Sequence, residues 1–340
     1  MVRFKYCFEK WERLAYEGGI IANLKQAKWR YLLVPLFMVG QFSAIIQILR
    51  SKRIDVIHAH WIFPQGFMAV IARMLFAGYK PAIVCTSHGG DLFGLPGAMF
   101  LHLKRFVMKQ VDKMTVVSEA MRNYAYMLGQ GREIEVISMG VDTVETFTPS
   151  PSVERARYEL LFVGRLVEKK GLRYLILAMP EILNQFHDSI LIVAGTGPEE
   201  ALLRELAQSI GVAAHIQFIG SVDNHLLPDL YRHASVFVAP SVVAKGGDQE
   251  GLGLVIVEAL ACECAVLASD LPAIRDVVID GVTGSIARQG DSGDIARKAI
   301  ELLGVPAKGR RMAQIGRRYV ADRFDWKLVA ARYEALLLTM

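Results

Sequence analysis

Short apolar runs alternate with segments of helical period along most of the chain. Residues 54–60, 82–87, 113–117 and 134–138 read as strands in the first half. Residues 158–164, 189–194, 215–219, 235–239 and 265–269 do so in the second. Helical patterns fall between them at 66–77, 119–128, 172–186, 199–210, 254–262 and 293–303, and a last helix, 325–338, follows a polar, basic one. Strands of nearly unbroken Val, Ile and Leu are those of parallel sheets covered on both faces, so the pattern predicts an α/β chain with two doubly wound domains in tandem. The Pro/Ser-rich break TFTPSPS at 146–152 divides the chain into a domain over 1–150, a second over 151–323 and a final helical segment over 324–340. No solenoid repeat interrupts this reading.

One stretch departs from the alternation. Residues 31–49 carry no charge and lie between Arg30 and Arg50. Their length is at the margin for crossing a bilayer. Pro35, Gly40, Gln41, Ser43 and Gln47 interrupt them, and a strand begins a few residues later, so the expectation is a buried or interfacial helix instead of a span. Upstream, Phe4, Tyr6, Phe8, Trp11, Tyr16 and Trp29 interleave with Lys5, Lys10, Arg13, Lys25, Lys28 and Arg30. That mixture suits a lipid headgroup surface, with an ordinary helical surface weighed equally against it. The first 30 residues lack the features of a secretory signal.

Length and composition add the bounds. A chain of 340 residues, 53% hydrophobic and 21% charged, is globular and needs no staples. Cys7, Cys85, Cys262 and Cys264 are too few and too scattered for a disulfide framework, and they read as reduced thiols. The net charge of +5 is uneven: residues 1–130 carry 17 Lys/Arg against 7 Asp/Glu, and residues 131–340 carry 22 against 27. A basic first half calls for an anionic partner. No nucleic-acid-binding signature is present, so an anionic membrane surface is expected and nucleic acid is not.

Doubly wound sheets bind ligands at the carboxyl ends of their strands, and those ends are polar or glycine-rich here. Gly164-Arg-Leu-Val-Glu-Lys-Lys-Gly171 follows one strand. It lacks the order of a Walker loop, yet it sets Arg165 at a strand end and Lys170 at an expected helix start, where two cations suit a diphosphate. A solvated basic turn is the competing reading. Gly195-Thr-Gly-Pro198 fails as a dinucleotide fingerprint, because Glu200 stands where the third glycine belongs; it implies a tight turn. Ser241–Gly253 is a long glycine-rich loop feeding a helix. Glu250 lies at its end and Glu258 is expected two turns into the helix, spaced to grip two hydroxyl-bearing parts of one ligand, with the amides of Gly251, Leu252 and Gly253 between them. Glu258 has apolar neighbours on both sides, so it needs a partner. In the first half, Thr86-Ser-His88-Gly-Gly-Asp91 ends a strand, as does Ile57-His58-Ala-His60-Trp61. His58 and His60 share a strand face, but no third ligand is spaced for a metal, and the favoured reading is that one of the pair packs inside and His60-Trp61 lines a cleft.

Taken together, these stretches resemble the family 4 retaining glycosyltransferases of the GT-B fold. The likeness rests on Gly-Arg165-x4-Lys170-Gly171, Gly195-x-Gly197-Pro198, Pro240-Ser241 and Glu250-Gly-Leu-Gly-x4-Glu258-Ala259 in the family's order. Asp55-Val-Ile-His58-Ala-His60, His88-Gly-Gly-Asp91, Val117-Ser-Glu119 and Gly140-Val-Asp142 extend it over residues 50–335. The resemblance implies two Rossmann-like domains facing a cleft, the first one incomplete, with the final helix returning to the first domain. It implies that Arg165 and Lys170 neutralise the leaving diphosphate of a nucleoside-diphosphate sugar and that Glu258 holds the ribose. Glu250, with the amides of residues 251–253, would hold the transferred sugar, and His88 would touch that sugar. The catalytic set would then be His88, Glu250, Arg165 and Lys170. No metal or other cofactor is implied, since cations and helix dipoles take that role.

The implied activity is transfer of a hexose-type sugar, with retention, to a glycan or lipid-linked acceptor in surface polysaccharide or glycolipid synthesis. The implied place is the cytoplasm, peripheral at the inner face of the cell membrane. One departure is the absence of the family's first strand and glycine-rich loop ahead of the first domain. It leaves open an inactive GT-B protein that binds nucleotide sugar or a partner without catalysis. A sugar-nucleotide epimerase of the same shape is a third reading, opposed by the Glu-x7-Glu element. The expectation on which these readings depend is that Arg165, Lys170, Glu250 and Glu258 gather in one place.

Overall fold

The computed structural model describes residues 3–340 apart from 13, 15–19, 21–23, 25–26 and 130–132. Arg13, Tyr16 and Lys25 of the expected lipid-facing mixture therefore lie outside the described residues. Two compact units are present: Met1–Val116 with Tyr124–Glu135 and Leu336–Met340, and Val117–Asn123 with Val136–Ala335.

The first unit holds a sheet ordered β1 (Val56–His60), β2 (Ala82–Ser87), β3 (Lys113–Val116) and β4 (Ile134–Val136), with β1, β2 and β3 parallel. Residues of β2 are almost wholly buried, as an apolar strand between two neighbours must be. Helix α1 (Leu33–Ser51) packs along α2 (Phe67–Leu75). Of the two alternatives expected for this helix, buried or interfacial, full burial is not what is found. Only Leu33, Phe37 and Leu49 of α1 are buried, while Leu36 and Val39 are exposed. Apolar residues occupy nearly every turn position, so one stripe finds the unit and the others do not. The helical segment Trp29–Ser51, 23 residues of which the most apolar 18 have a mean hydropathy of 2.0, is long and apolar enough to cross a membrane by length and composition. Helix α3 (Ala98–Gln110), which has weak apolar periodicity, was not expected from the sequence.

The second unit contains a six-stranded parallel sheet in the order β10-β9-β8-β5-β6-β7. Its strands are β5 (Glu159–Val163), β6 (Ile190–Ala194), β7 (Ile216–Gly220), β8 (Val236–Ala239), β9 (Ala265–Ser269) and β10 (Ser285–Ala287). Burial follows position: β8 and β9 are buried throughout, whereas edge strand β7 alternates between buried and exposed. The three residues of β10 are too few to stand out as a pattern. Helices α5 (Leu172–Gln185) and α9 (Ser292–Gly304) pack together, as do α8 (Leu254–Ala261) and α10 (Pro306–Phe324). Chain order runs outward from β5 to β7 in one direction and from β8 to β10 in the other. The reversal lies between β5 and β8, and the crevice outside their carboxyl ends is where such a sheet takes a ligand.

Candidate active site

Three loops meet at that reversal because glycines let their backbones touch. Gly171 (φ 66°) lies so close to Pro240 O that no Cβ would fit, and Gly195 (φ 139°) lies equally close to Gly164 O. Hydrogen bonds close the contact: Gly164 N to Ala194 O at 2.9 Å, Leu166 N to Thr196 O at 2.9 Å, and Val242 N to Lys169 O at 2.8 Å. The Gly-x-Gly-Pro turn after β6 is thus a backbone joint that supports the loop after β5.

The turn Glu168–Lys170 then grips the long loop after β8. Lys169 Nζ pairs with Asp248 at 3.1 Å, and Lys245 N donates to Glu168 Oε1 at 3.1 Å. Lys170 Nζ lies 2.9 Å from Glu250 Oε1. Lys170 belongs to this short turn and not to the start of α5, which begins at Leu172 after Gly171. Its charge therefore comes from the ammonium, without the helix amides the sequence suggested. Burial pushes the Glu250 carboxyl up, but Lys170 and Lys169 together pull it below its ordinary value. Arg165 is exposed after β5, with no side-chain partner among the described residues.

Glu250 is followed by Gly251, Leu252 and Gly253, and Gly253 leads into α8. Glu258 is the fifth residue of that helix, about one turn in where two were expected. Only 7% of it is exposed. Tyr231, on α7 (Leu227–His233), donates its hydroxyl to Glu258 Oε2 at 2.9 Å. Burial pushes the Glu258 carboxyl up to about 7, against the pull of the Tyr231 hydrogen bond and the Lys170 charge. Lys170 thus bonds Glu250 directly and acts on Glu258 through its charge, and the two buried carboxyls are shifted in opposite directions. The arrangement can compensate an anion at Lys170 and accept hydroxyl protons at both glutamates. Of the four residues expected to gather, Lys170, Glu250 and Glu258 do so; Arg165 lies at the head of the same loop.

Arg155 was not singled out in the sequence. Its guanidinium donates to the carbonyls of Tyr231 (2.9 Å), Ala234 (2.9 Å), Cys262 (3.0 Å) and Glu263 (2.6 Å). These are the unpaired carbonyls at the ends of α7 and α8, so one cation satisfies both negative helix termini. No local sequence signal could have revealed this, because the partners lie about 80 and 110 residues away. The Gly140-Val-Asp142 stretch is likewise structural. Val141 N donates to Phe324 O at 2.8 Å, and Asp142 accepts from Val144 N, Glu145 N and Thr146 Oγ1.

His88 belongs to the first unit. His60 Nδ1 and His88 Nε2 share a hydrogen bond of 2.9 Å, and His58 Nε2 is 2.8 Å from Thr86 Oγ1. Burial lowers all three imidazoles, His58 to about 4. Among the described residues no three His, Cys, Asp or Glu side chains are grouped to hold a metal ion. Asp91 fixes the loop after His88 from within: it is fully buried and accepts from Ile62 N (2.7 Å), Ser87 Oγ (2.8 Å) and His88 N (3.2 Å). All four cysteines are free.

Comparison with known proteins accords with this geometry. The profile of the glycosyl transferases group 1 matches residues 145–319, and that of Glycosyltransferase Family 4 matches residues 6–145. The chain is 32% identical to the GDP-mannose-dependent alpha-(1-6)-phosphatidylinositol monomannoside mannosyltransferase of Mycolicibacterium smegmatis, over 81% of this chain and 74% of that protein. It is 33% identical to the phosphatidyl-myo-inositol mannosyltransferase of Mycobacterium leprae, over 87% of this chain and 76% of that protein. In fold it is similar to the sucrose-phosphate synthase of Thermosynechococcus elongatus (TM-score 0.77, 22% identity, 92% of this chain and 79% of that one). It is also similar to Anabaena Alr3699/HepE in complex with UDP and glucose (TM-score 0.75, 21% identity, 92% and 83%). One profile spans the first sheet, the other spans the β5–β8 reversal with both glutamates, and the relatives align along four fifths of the length. The chain belongs to the group 1 glycosyl transferases, with a Glycosyltransferase Family 4 region ahead of it, on the α/β GT-B fold.

Proposed function

We propose that the protein transfers a hexose, with retention of configuration, from a nucleoside-diphosphate sugar to a lipid-linked or glycan acceptor. The observation that carries this reading is the gathering of Lys170, Glu250 and Glu258 at the strand-order reversal of the second sheet. In the proposed reaction the bond from the sugar's anomeric carbon to the diphosphate breaks, and the bond to the acceptor oxygen forms on the same face. The acceptor's proton passes to a diphosphate oxygen. Lys170 and Arg165 stabilise the negative charge that develops there, so turnover persists in a chelator. Glu258 accepts from the ribose hydroxyls. Glu250, with the amides of Gly251, Leu252 and Gly253, orients the sugar, and His88 contacts it. GDP-mannose is the first donor to test, because the mycobacterial relatives are mannosyltransferases and one is named for that donor.

The protein is placed at the inner face of the cell membrane, as a peripheral protein. The basic balance of residues 1–130 supports this, as does an apolar groove of about 720 Å³ near the start of the chain, where Phe8, Trp11, Trp29 and Leu32 are exposed. The test is a transfer assay with labelled GDP-mannose, UDP-glucose and other nucleotide sugars on phosphatidylinositol-containing vesicles, with the product's anomeric configuration read by NMR. Labelled lipid product of retained configuration is expected. Nucleotide binding without product would instead make this a binding protein, and inverted product would overturn the retaining assignment.

A further inference from the structure

Glu258 is a carboxylate with one oxygen tied and one free. Oε2 accepts from Tyr231, whereas Oε1 has no hydrogen-bond partner among the described residues. The tyrosine is itself closely packed. It is fully buried, its ring meets Phe237 edge-on at 5.4 Å and Phe147 at 6.2 Å, and its carbonyl is held by Arg155. Arg155 also holds Cys262 O just past the helix that carries Glu258, so phenol and carboxylate sit on two helices pinned at a common point. A buried glutamate on a flexible stem would otherwise choose among rotamers, and its grip on a ligand would carry the entropy of fixing one.

We propose that Tyr231 is a positioning residue: its hydroxyl locks the Glu258 carboxylate through Oε2 and leaves Oε1 as the oxygen that selects the ribose diol of the donor. The inference rests on the proposed reading of Glu258 and adds to it a determinant of ribose over deoxyribose recognition. The ribose is remote from the bond that breaks, so the lock acts on donor binding more than on chemistry. The ionisable groups facing Glu258 are Tyr231 from α7, Lys170 from the turn after β5, and Cys262 on the adjoining turn, whose thiol burial holds at about 12. Tyr231 donates to the ionised form of Glu258, so losing its hydroxyl shifts the acid limb of nucleotide binding to higher pH.

The experiment is calorimetry on the whole chain with GDP, UDP, their 2′,3′-dideoxy analogues and inorganic pyrophosphate, for the native protein and Tyr231→Phe. The native protein is expected to bind the favoured nucleotide at least about thirtyfold tighter than its dideoxy analogue, as a site built for hydroxyl donors rejects a ligand lacking them. Tyr231→Phe keeps the ring, cuts that ratio at least fivefold, leaves pyrophosphate affinity unchanged and moves the acid limb up. In a transfer assay it raises the donor KM and spares kcat. In a Glu258→Gln background the added phenylalanine changes the ratio no further, which a general structural defect would not reproduce. An unchanged ratio and acid limb in Tyr231→Phe overturn the inference while leaving the nucleotide site intact. Failure of the native protein to bind either nucleotide overturns the reading beneath it, and the inference with it.

Discussion

The two sheets end in opposite kinds of polar cluster. At the carboxyl ends of β5 and β8 the groups are charged: an ammonium paired with one buried carboxylate and acting on a second through its charge, with the arginine of the same loop exposed. At the ends of β1 and β2 they are neutral: His58 on Thr86, and His60 on His88, all three imidazoles lowered by burial. The scaffolding differs as well. The charged cluster stands on backbone-to-backbone contacts that only glycine permits, while the neutral one stands on a single buried carboxylate, Asp91, that accepts three donors. One sheet type thus builds a charged cluster by compensating charge and a polar uncharged one by withholding it.

The contrast breaks most sharply at Lys170. Lys170→Met removes the charge that acts on both glutamates and leaves Glu250 buried without its partner. Transfer is expected to fall about a thousandfold, read by product chromatography, with circular dichroism unchanged. The scaffolding difference comes next. Gly195→Ala forces a Cβ into Gly164 O and is expected to destabilise the second unit by about 3 kcal/mol or more. Asp91→Ala strands the amides of Ile62 and His88 and the Ser87 hydroxyl and is expected to destabilise the first unit by about 2 kcal/mol. Urea unfolding, followed for each unit by hydrogen exchange, separates the two.

The smallest effect is a difference of sign with pH. Glu258 is raised to about 7 in the folded protein, so the penalty for its buried charge is present above pH 7 and disappears as the pH falls toward its unfolded value near 4.5. His58 is lowered to about 4, so its contribution is present above its unfolded value near 6.5 and is lost as the pH falls toward 4. Acidification from pH 7.5 to 5 should therefore raise the opening free energy derived from exchange, after correction for the intrinsic rate, in the second unit and lower it in the first, each by an amount on the order of 1 kcal/mol. Glu258→Gln abolishes the first trend and His58→Gln the second. Equal slopes in the two units would remove the distinction.

Much of the second unit was legible because its central strands are buried on both faces and are almost wholly apolar, as in Glu159–Val163 and Ala265–Ser269. The Glu-x7-Glu spacing announced the site for a similar reason: a glutamate flanked by apolar residues must have a partner. What the sequence withheld was the partner itself. Tyr231 and Arg155 act across gaps of 27 and roughly 80 to 110 residues, and neither has a local pattern. Helix α1 was legible as a charge-free helix, but its apolar residues face every direction, so the pattern left burial and an interface open; the chain buries only one stripe of it. Gly195-Thr-Gly197-Pro198 read only as a tight turn, and its glycines do make one; that they serve a contact with the loop after β5 was not legible.

The most direct test of the donor site is a crystal structure with the favoured nucleoside diphosphate bound. The account predicts the diphosphate beside Lys170 and Arg165, the Lys170–Glu250 pair opened or shared with a phosphate oxygen, and the ribose hydroxyls on Glu258 Oε1. A nucleotide lodged elsewhere, with the Lys170–Glu250 pair undisturbed and Glu258 untouched, would contradict it.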